Sequence, residues 1–444
     1  MNRKFFALAA ALALTTTLGG CGIFGGGEGK KPKTPVLGQR IAVLTAETGA
    51  EIDPTLEGVP VVPPAEQVNP EWTQPGGNAA KSMGHLALGQ NLAVAWDRKI
   101  PGSSKQARLG AGPVVGGGKV YVLDVDAVIH AFDLKTGAPA WTRAVTDKEG
   151  NKPSLFGGGV SYDNGKVYAT NGVGDAAAFD AGTGNQLWSV RPGGPLRGAP
   201  SIGNDTVYVM SQDNQLFALK EANGETIWTA SGSLENAAVF GAAAPAIGQG
   251  TVVAGFSSGE LTAYRYENGR AVWQDSLSRT SITTSVASLV DIDASPVVEQ
   301  GRVYAVGQGG RMVSMDILTG QRLWELNIAG LKTPWVAGEW LFVVTDDSKL
   351  LCIARNSGKV RWLTQLARYK DAKKRNKPIG WSGPVLAGGR LILTSTQGDI
   401  INVAVADGTI GTSTRLGTPI YQPPVVADST MLVLTDSGRL VAYR

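Results

Sequence analysis

From Pro113 to the C-terminus the chain repeats itself at a fixed internal spacing. Six segments end in Gly-x-x-x-Trp, at Gly137/Trp141, Gly184/Trp188, Gly224/Trp228, Gly269/Trp273, Gly320/Trp324 and Gly358/Trp362. The residue 28 positions before each Trp is Pro113, Val160, Pro200, Pro245, Pro296 or Pro334. A seventh copy opens at Pro384 and keeps Gly408 in register, with Thr412 in place of the Trp, and an eighth opens at Pro424. Eight residues after each opening stands Tyr121, Tyr168, Tyr208, Val253, Tyr304, Phe342, Ile392 or Leu432. Constant spacing within a unit and variable connections between units mark a supersecondary module that stacks on copies of itself.

Each unit reads as four short strands. After Pro200, the runs Ser201-Ile202, Thr206 to Met210, Gln215 to Leu219 and Thr226 to Trp228 are β-branched or aromatic, and Gly, Asn and Asp turns separate them. Proline opens the unit, where a strand loses little by lacking an N–H. Four-stranded units recurring every 38–51 residues predict an all-β protein, an eight-bladed β-propeller of antiparallel blades. The eighth unit lacks its fourth strand, and Leu92-Ala93-Val94-Ala95-Trp96 has no three strands before it. Pairing of these N- and C-terminal strands would close the ring over residues 92–444 and remove an open edge.

The repeat register also assigns two reactive residues. Cys352 falls where other units carry Ala131, Ala178, Ala218, Ala263 and Ala442, which predicts a small buried hydrophobe. His130 aligns with Phe217, Leu351 and Val441 and reads as a packed strand residue; His85 has no partner cluster nearby. With 2 Cys and 2 His, the chain has little for His-based catalysis or a thiolate metal site, and we expect no catalytic residue, metal or cofactor.

The N-terminus carries Arg3 and Lys4, an apolar run from Phe5 to Leu14, and a small-residue stretch up to Cys21. This is the layout of an export signal. Leu18-Gly19-Gly20-Cys21 resembles a bacterial lipobox, which implies removal of residues 1–20 and acylation of Cys21. Three acyl chains, at about 0.8 kcal/mol per buried methylene, would anchor the protein durably. By the same resemblance, the absence of Asp after Cys21 implies the outer membrane. The mature chain would carry 39 basic and 37 acidic residues, which gives no reason to expect nucleic acid. Residues 21–91, rich in Gly, Lys and Pro at their start, read as a lipidated tether, with Trp72 docked on the folded body.

The pattern Asp-x-x-Thr-Gly-x-x-x-Trp, as in Asp133 to Trp141 and Asp316 to Trp324, resembles the pyrroloquinoline-quinone-type propeller repeat. Two groups share it: quinone-dependent dehydrogenases, and the BamB family of lipoproteins of the outer-membrane β-barrel assembly (BAM) complex. The first implies adjacent cysteines, a Trp floor and a calcium held by oxygens; adjacent cysteines are absent here. The second implies a non-enzymatic subunit at the periplasmic face of the outer membrane. It would bind the POTRA domains of BamA and other BAM subunits, and assist outer-membrane protein clients. In that family a Leu-Arg-Gly segment after the second blade contacts BamA, matched here by Leu196-Arg197-Gly198. A second segment, Asp-x-Asp before a blade-opening Pro, is matched by Asp291-Ile292-Asp293. The resemblance thus implies Leu196, Arg197, Asp291 and Asp293 as partner-binding residues. As residues, Leu196 reads as an apolar anchor and Arg197 as a donor fork for a carboxylate. The aspartates would hold a partner cation, orient Arg197, or cap their own turn. A basic run, Arg368 to Lys377, reads as a solvated loop or a contact for anionic headgroups or an acidic partner.

Overall fold

The computed structural model describes residues 50–146, 152–196, 198–234, 243–278 and 290–444. The signal segment 1–20, Cys21 and Arg197 lie outside these residues.

Eight four-stranded antiparallel sheets follow one another along the chain, and together they form an eight-bladed β-propeller. Blade 1 comprises Val114–Gly116, Lys119–Leu123, Val128–Asp133 and Pro139–Ala144. The same meander recurs in blades 2 to 7, which span 160–190, 201–231, 246–276, 297–326, 335–365 and 381–415. Blade 8 takes three strands from the C-terminus, Val425–Ala427, Thr430–Leu434 and Arg439–Tyr443. Its fourth is Val94–Lys99, which pairs antiparallel with Arg439–Tyr443 and closes the ring as expected.

One rung explains the repeat. In blade 3, Ser201, Tyr208, Ala218 and Trp228 are paired side by side across all four strands. The small third-strand residue leaves room for the Trp ring to lean over the aromatic of the second strand, with centroids 5.8 Å apart. Such pairs contribute about 0.5–1.5 kcal/mol beyond area burial. Cys352 occupies the small position in blade 6, between Phe342 and Trp362, fully buried. Blade 7 replaces the arrangement with polar residues: Asn402 stands in the small position and donates Nδ2–H to Thr412 Oγ1 at 2.8 Å.

Each Trp also joins its blade to the next. The Trp141 indole N–H donates to Ala181 O at 3.0 Å, and Trp188 to Glu221 O at 2.9 Å. The same bond recurs from Trp228 to Tyr266, Trp273 to Ile317, Trp324 to Arg355 and Trp362 to Val405. The accepting carbonyl follows the first residue of the third-to-fourth-strand turn. In blade 1 that first residue is Asp133, whose Oδ1 accepts from Thr136 N and Oγ1 at 2.8 and 2.7 Å. These bonds hold its carboxyl below the usual range. Gly137 then adopts φ 67°, and a Cβ there would lie 2.6 Å from the Trp96 ring. The motif's Asp, Thr, Gly and Trp are therefore one joint between blades.

The segment expected to be a tether is part of the folded body from residue 50 onward. Asp53 N–H donates to Val360 O at 2.9 Å on the outer strand of blade 6. Residues 69–88 then cross the end of the ring as a strap that bonds to every blade. Asn69 Nδ2 donates to Val426 O in blade 8. Trp72 and Val115 of blade 1 exchange two main-chain bonds at 2.9 and 2.8 Å. Tyr162 N–H in blade 2 donates to Thr73 O, and Gln74 bonds both the N–H and the C=O of Ile202 in blade 3. Ala79 O and Ala80 O accept from Ile247 and Val298 in blades 4 and 5. The Trp335 indole of blade 6 donates to Gly84 O, and Leu86 bonds Leu386 and Gly388 in blade 7. Inner strands present free backbone groups towards the axis, as any sheet edge does, and the strap satisfies them at this end.

Candidate functional site

An antiparallel meander fixes which loops share a face. The connectors between blades and the second-to-third-strand turns emerge on one face, and the other two turns emerge opposite. The strap bonds inner strands near their first turn, so it closes the face opposite the connectors.

Between strap and connectors lies a cavity of about 250 Å³ on the ring axis. Trp72, Pro75, Gly76 and Lys81 of the strap form its floor. Its wall is made by the connectors into blades 1, 3, 5, 6 and 8, among them Gly110–Gly112, Gly198–Ala199 and Leu331–Thr333, and by Gly383–Val385 on the inner strand of blade 7. Trp72 and Trp335 stack at 6.1 Å.

Lys81 is the unusual group here. It is 2% exposed and has φ 61°. Its ammonium donates to Ser201 Oγ at 3.1 Å and Gln74 Oε1 at 3.4 Å, both neutral. Burial pushes the amine down to about 7. On the wall, Lys332 is also pushed down by lost hydration, with Asp293 and Asp346 opposing that shift.

The two expected partner-binding segments border this same cavity from different connectors, through Gly198 and Asp293. Leu196 departs from the reading as an exposed apolar anchor. It is 2% exposed and packs with Tyr168, Trp188 and Phe217. Its main chain bridges Ser211 of blade 3, and its N–H donates to Asn171 O of blade 2. Gly198 bridges Gly158, and its carbonyl accepts from Thr170 Oγ1 at 2.7 Å. The chain is thus pinned on both sides of Arg197 by two blades. Asp291 is 1% exposed and lies beside buried Ile292; Asp293 is half-buried and turned to the axis. Neither aspartate presents an open carboxylate on the outer rim.

His85 and His130 have packing partners. Gly389 N–H donates to His85 Nε2 at 2.9 Å, so His85 carries its proton on Nδ1 and donates it to Pro64 O at 2.7 Å. His130 Nε2 meets Asp124 Oδ2 at 2.7 Å, and its ring stacks on Phe132. The basic run forms a small exposed hairpin, Tyr369–Asp371 with Asn376–Pro378, that belongs to no blade. Among the described residues no three His, Cys, Asp or Glu side chains are grouped to hold a metal. Cys352, the one cysteine among the described residues, is free and fully buried in blade 6.

Sequence reasoning missed the strap and Lys81. The available signal was Trp72, followed by Gly76-Gly77 and by a lysine between two alanines and Ser82-Met83.

Residues 82–155 and 126–364 match the family model described as outer membrane protein assembly factor BamB. The chain is 25% identical over 336 residues to outer membrane protein assembly factor BamB of Yersinia pestis, covering 74% of this chain and 83% of that protein. Among solved structures, BamB from Moraxella catarrhalis superposes with a TM-score of 0.66 at 18% identity, over 80% of this chain and 100% of that one. A europium-containing methanol dehydrogenase reaches the same TM-score at 15% identity, over 84% of this chain and 98% of that one, a likeness of fold alone. Repeat register, ring closure and these matches agree: the chain belongs to the BamB family of outer membrane protein assembly factors.

Proposed function

We propose that this protein is a non-enzymatic scaffold subunit of the BAM complex. Lipid on Cys21 holds it to the periplasmic face of the outer membrane, and its connector face docks the POTRA domains of BamA while outer-membrane proteins fold and insert. The family match over residues 82–364 carries this reading. The physical form supports it. Seven indole bonds between blades and a strap across the axis make a stiff ring, and stiffness limits the entropy lost on docking.

The surroundings of the described residues support the following division of roles. Leu196 acts from within the core by fixing the connector, and Arg197 between two pinned neighbours is the residue proposed to meet a partner carboxylate. Asp293 sits at the axial mouth, and Asp291 holds the connector into blade 5.

Affinity purification of the lipidated protein from detergent-solubilised outer membranes tests this reading. BamA should be retained in stoichiometric amount. Retention of no BAM subunit, or recovery of the protein in the inner membrane, would reject it.

A further inference from the structure

The axial cavity holds a feature that a scaffold role does not use. A lysine ammonium has three donors, and Lys81 finds two neutral oxygens, Ser201 Oγ and Gln74 Oε1. Its third donor has no acceptor among the described residues, and the side chain lines the cavity. Lysine is seldom fully buried unless paired, because removing its charge from water is costly. A methionine would fill the same space without that cost. The left-handed backbone at Lys81 adds strain at the same residue. Among the described lining residues the other charged groups, Lys332 and Asp293, oppose one another in sign, so a protonated Lys81 leaves these groups one positive charge in excess.

Size and wall chemistry narrow the ligand. At about 250 Å³ the cavity exceeds the ~150 Å³ that admits benzene and falls below the ~300–1,000 Å³ of pockets for drug-sized molecules. The stacked Trp72 and Trp335 give it an apolar side. We propose that the axial cavity binds a small monocarboxylate, with the anionic end on the Lys81 ammonium and an apolar body against Trp72 and Trp335. The carboxylate supplies the acceptor that Lys81 lacks and restores its full charge, so binding takes up a proton near neutral pH. Carboxylate binding is read on the purified protein without BamA, so this proposal and the docking proposal can fail separately.

The test uses the mature lipidated protein in detergent, with sodium benzoate and sodium butyrate as probes and benzamide as the neutral isostere of benzoate. Tryptophan fluorescence should change saturably with at least one carboxylate and not with benzamide. Lys81→Met should weaken carboxylate binding at least ~10-fold, as expected when a buried charge partner is removed. Affinity in the parent should rise as pH falls from about 9 to about 6, with Lys332 and Asp293 the other titratable groups on the lining. Lys332→Met should keep the parent's pH profile, which separates Lys81 from Lys332 even if Lys81→Met folds poorly. Equal binding of benzamide and benzoate, a flat pH profile, undiminished binding by Lys81→Met, or no saturable binding of either carboxylate would overturn the proposal.

Discussion

Trp96 donates its indole N–H to the carbonyl of Leu134 at 2.9 Å, across the joint between the last blade and the first. Trp96 lies on the N-terminal strand that completes blade 8 and Leu134 in the third-to-fourth-strand turn of blade 1, and the bond is the one used at six other joints. Ring closure is therefore the ordinary joint applied once more, with its Trp supplied by the N-terminal strand.

Replacing Trp96 with Ala should cost about 3–5 kcal/mol, the usual range for a buried Trp. Trp96→Phe should cost about 1 kcal/mol for the lost hydrogen bond plus a smaller packing loss. Equilibrium urea unfolding of both variants measures the difference. A Trp96→Phe variant as stable as the parent would mean that the indole bond contributes nothing to closure.

Two glycines with similar backbones separate strain from space. Gly137 and Gly165 have φ 67° and 78°, but a Cβ at Gly137 meets the Trp96 ring and at Gly165 meets nothing within 4 Å. Gly165→Ala should cost about 1–2 kcal/mol from left-handed backbone alone. Gly137→Ala should cost more by at least ~1 kcal/mol, because the Trp must shift. Urea midpoints with an unchanged m-value report the comparison.

The strap should behave as a structural element. Trp72 is 2% exposed and exchanges two main-chain bonds with Val115. Its amide and that of Leu86 should be protected from hydrogen exchange as strongly as blade strands. Trp72→Ala should lower stability by about 3–5 kcal/mol. Exchange at the rate of an unstructured peptide would contradict this.

Lys81 makes a pH prediction with a definite sign. Its folded-state amine is lowered from 10.5 to about 7, so between those values the unfolded chain binds more protons than the folded one. Stability from this group therefore rises with pH across that window, and the penalty is full below about pH 7. Lys81→Met should be more stable than the parent at neutral pH, by at most about 5 kcal/mol, and the gap should close towards pH 10.5. Thermal unfolding of both proteins across this range is the check.

The legible parts of the fold were those that repeat. Trp141, Gly137 and Tyr121 each recur in fixed register, because each blade solves the same packing problem against its neighbour. The small position occupied by Cys352 could be read for the same reason. The strap could not: residues 69–88 contact eight different inner strands, mostly through their own backbone groups and otherwise through the single side chains of Asn69 and Gln74, which leaves no side-chain periodicity. Gly76, Gly77 and Gly84 then look like linker composition. Leu196 was misread because its neighbours Arg197 and Gly198 mark a loop, while its burial comes from Tyr168 and Phe217 in two different blades. Asp293 points to the axis through the curvature of the ring, which no local motif encodes.

The scaffold account is tested most directly by titrating purified POTRA domains of the cognate BamA into the parent, into Arg197→Glu on the connector face, and into Lys135→Glu on the opposite face. The account predicts saturable binding by the parent and by Lys135→Glu, and a loss of about 2–5 kcal/mol for Arg197→Glu. Binding that survives Arg197→Glu unchanged but fails in Lys135→Glu, or no binding by the parent, would contradict it.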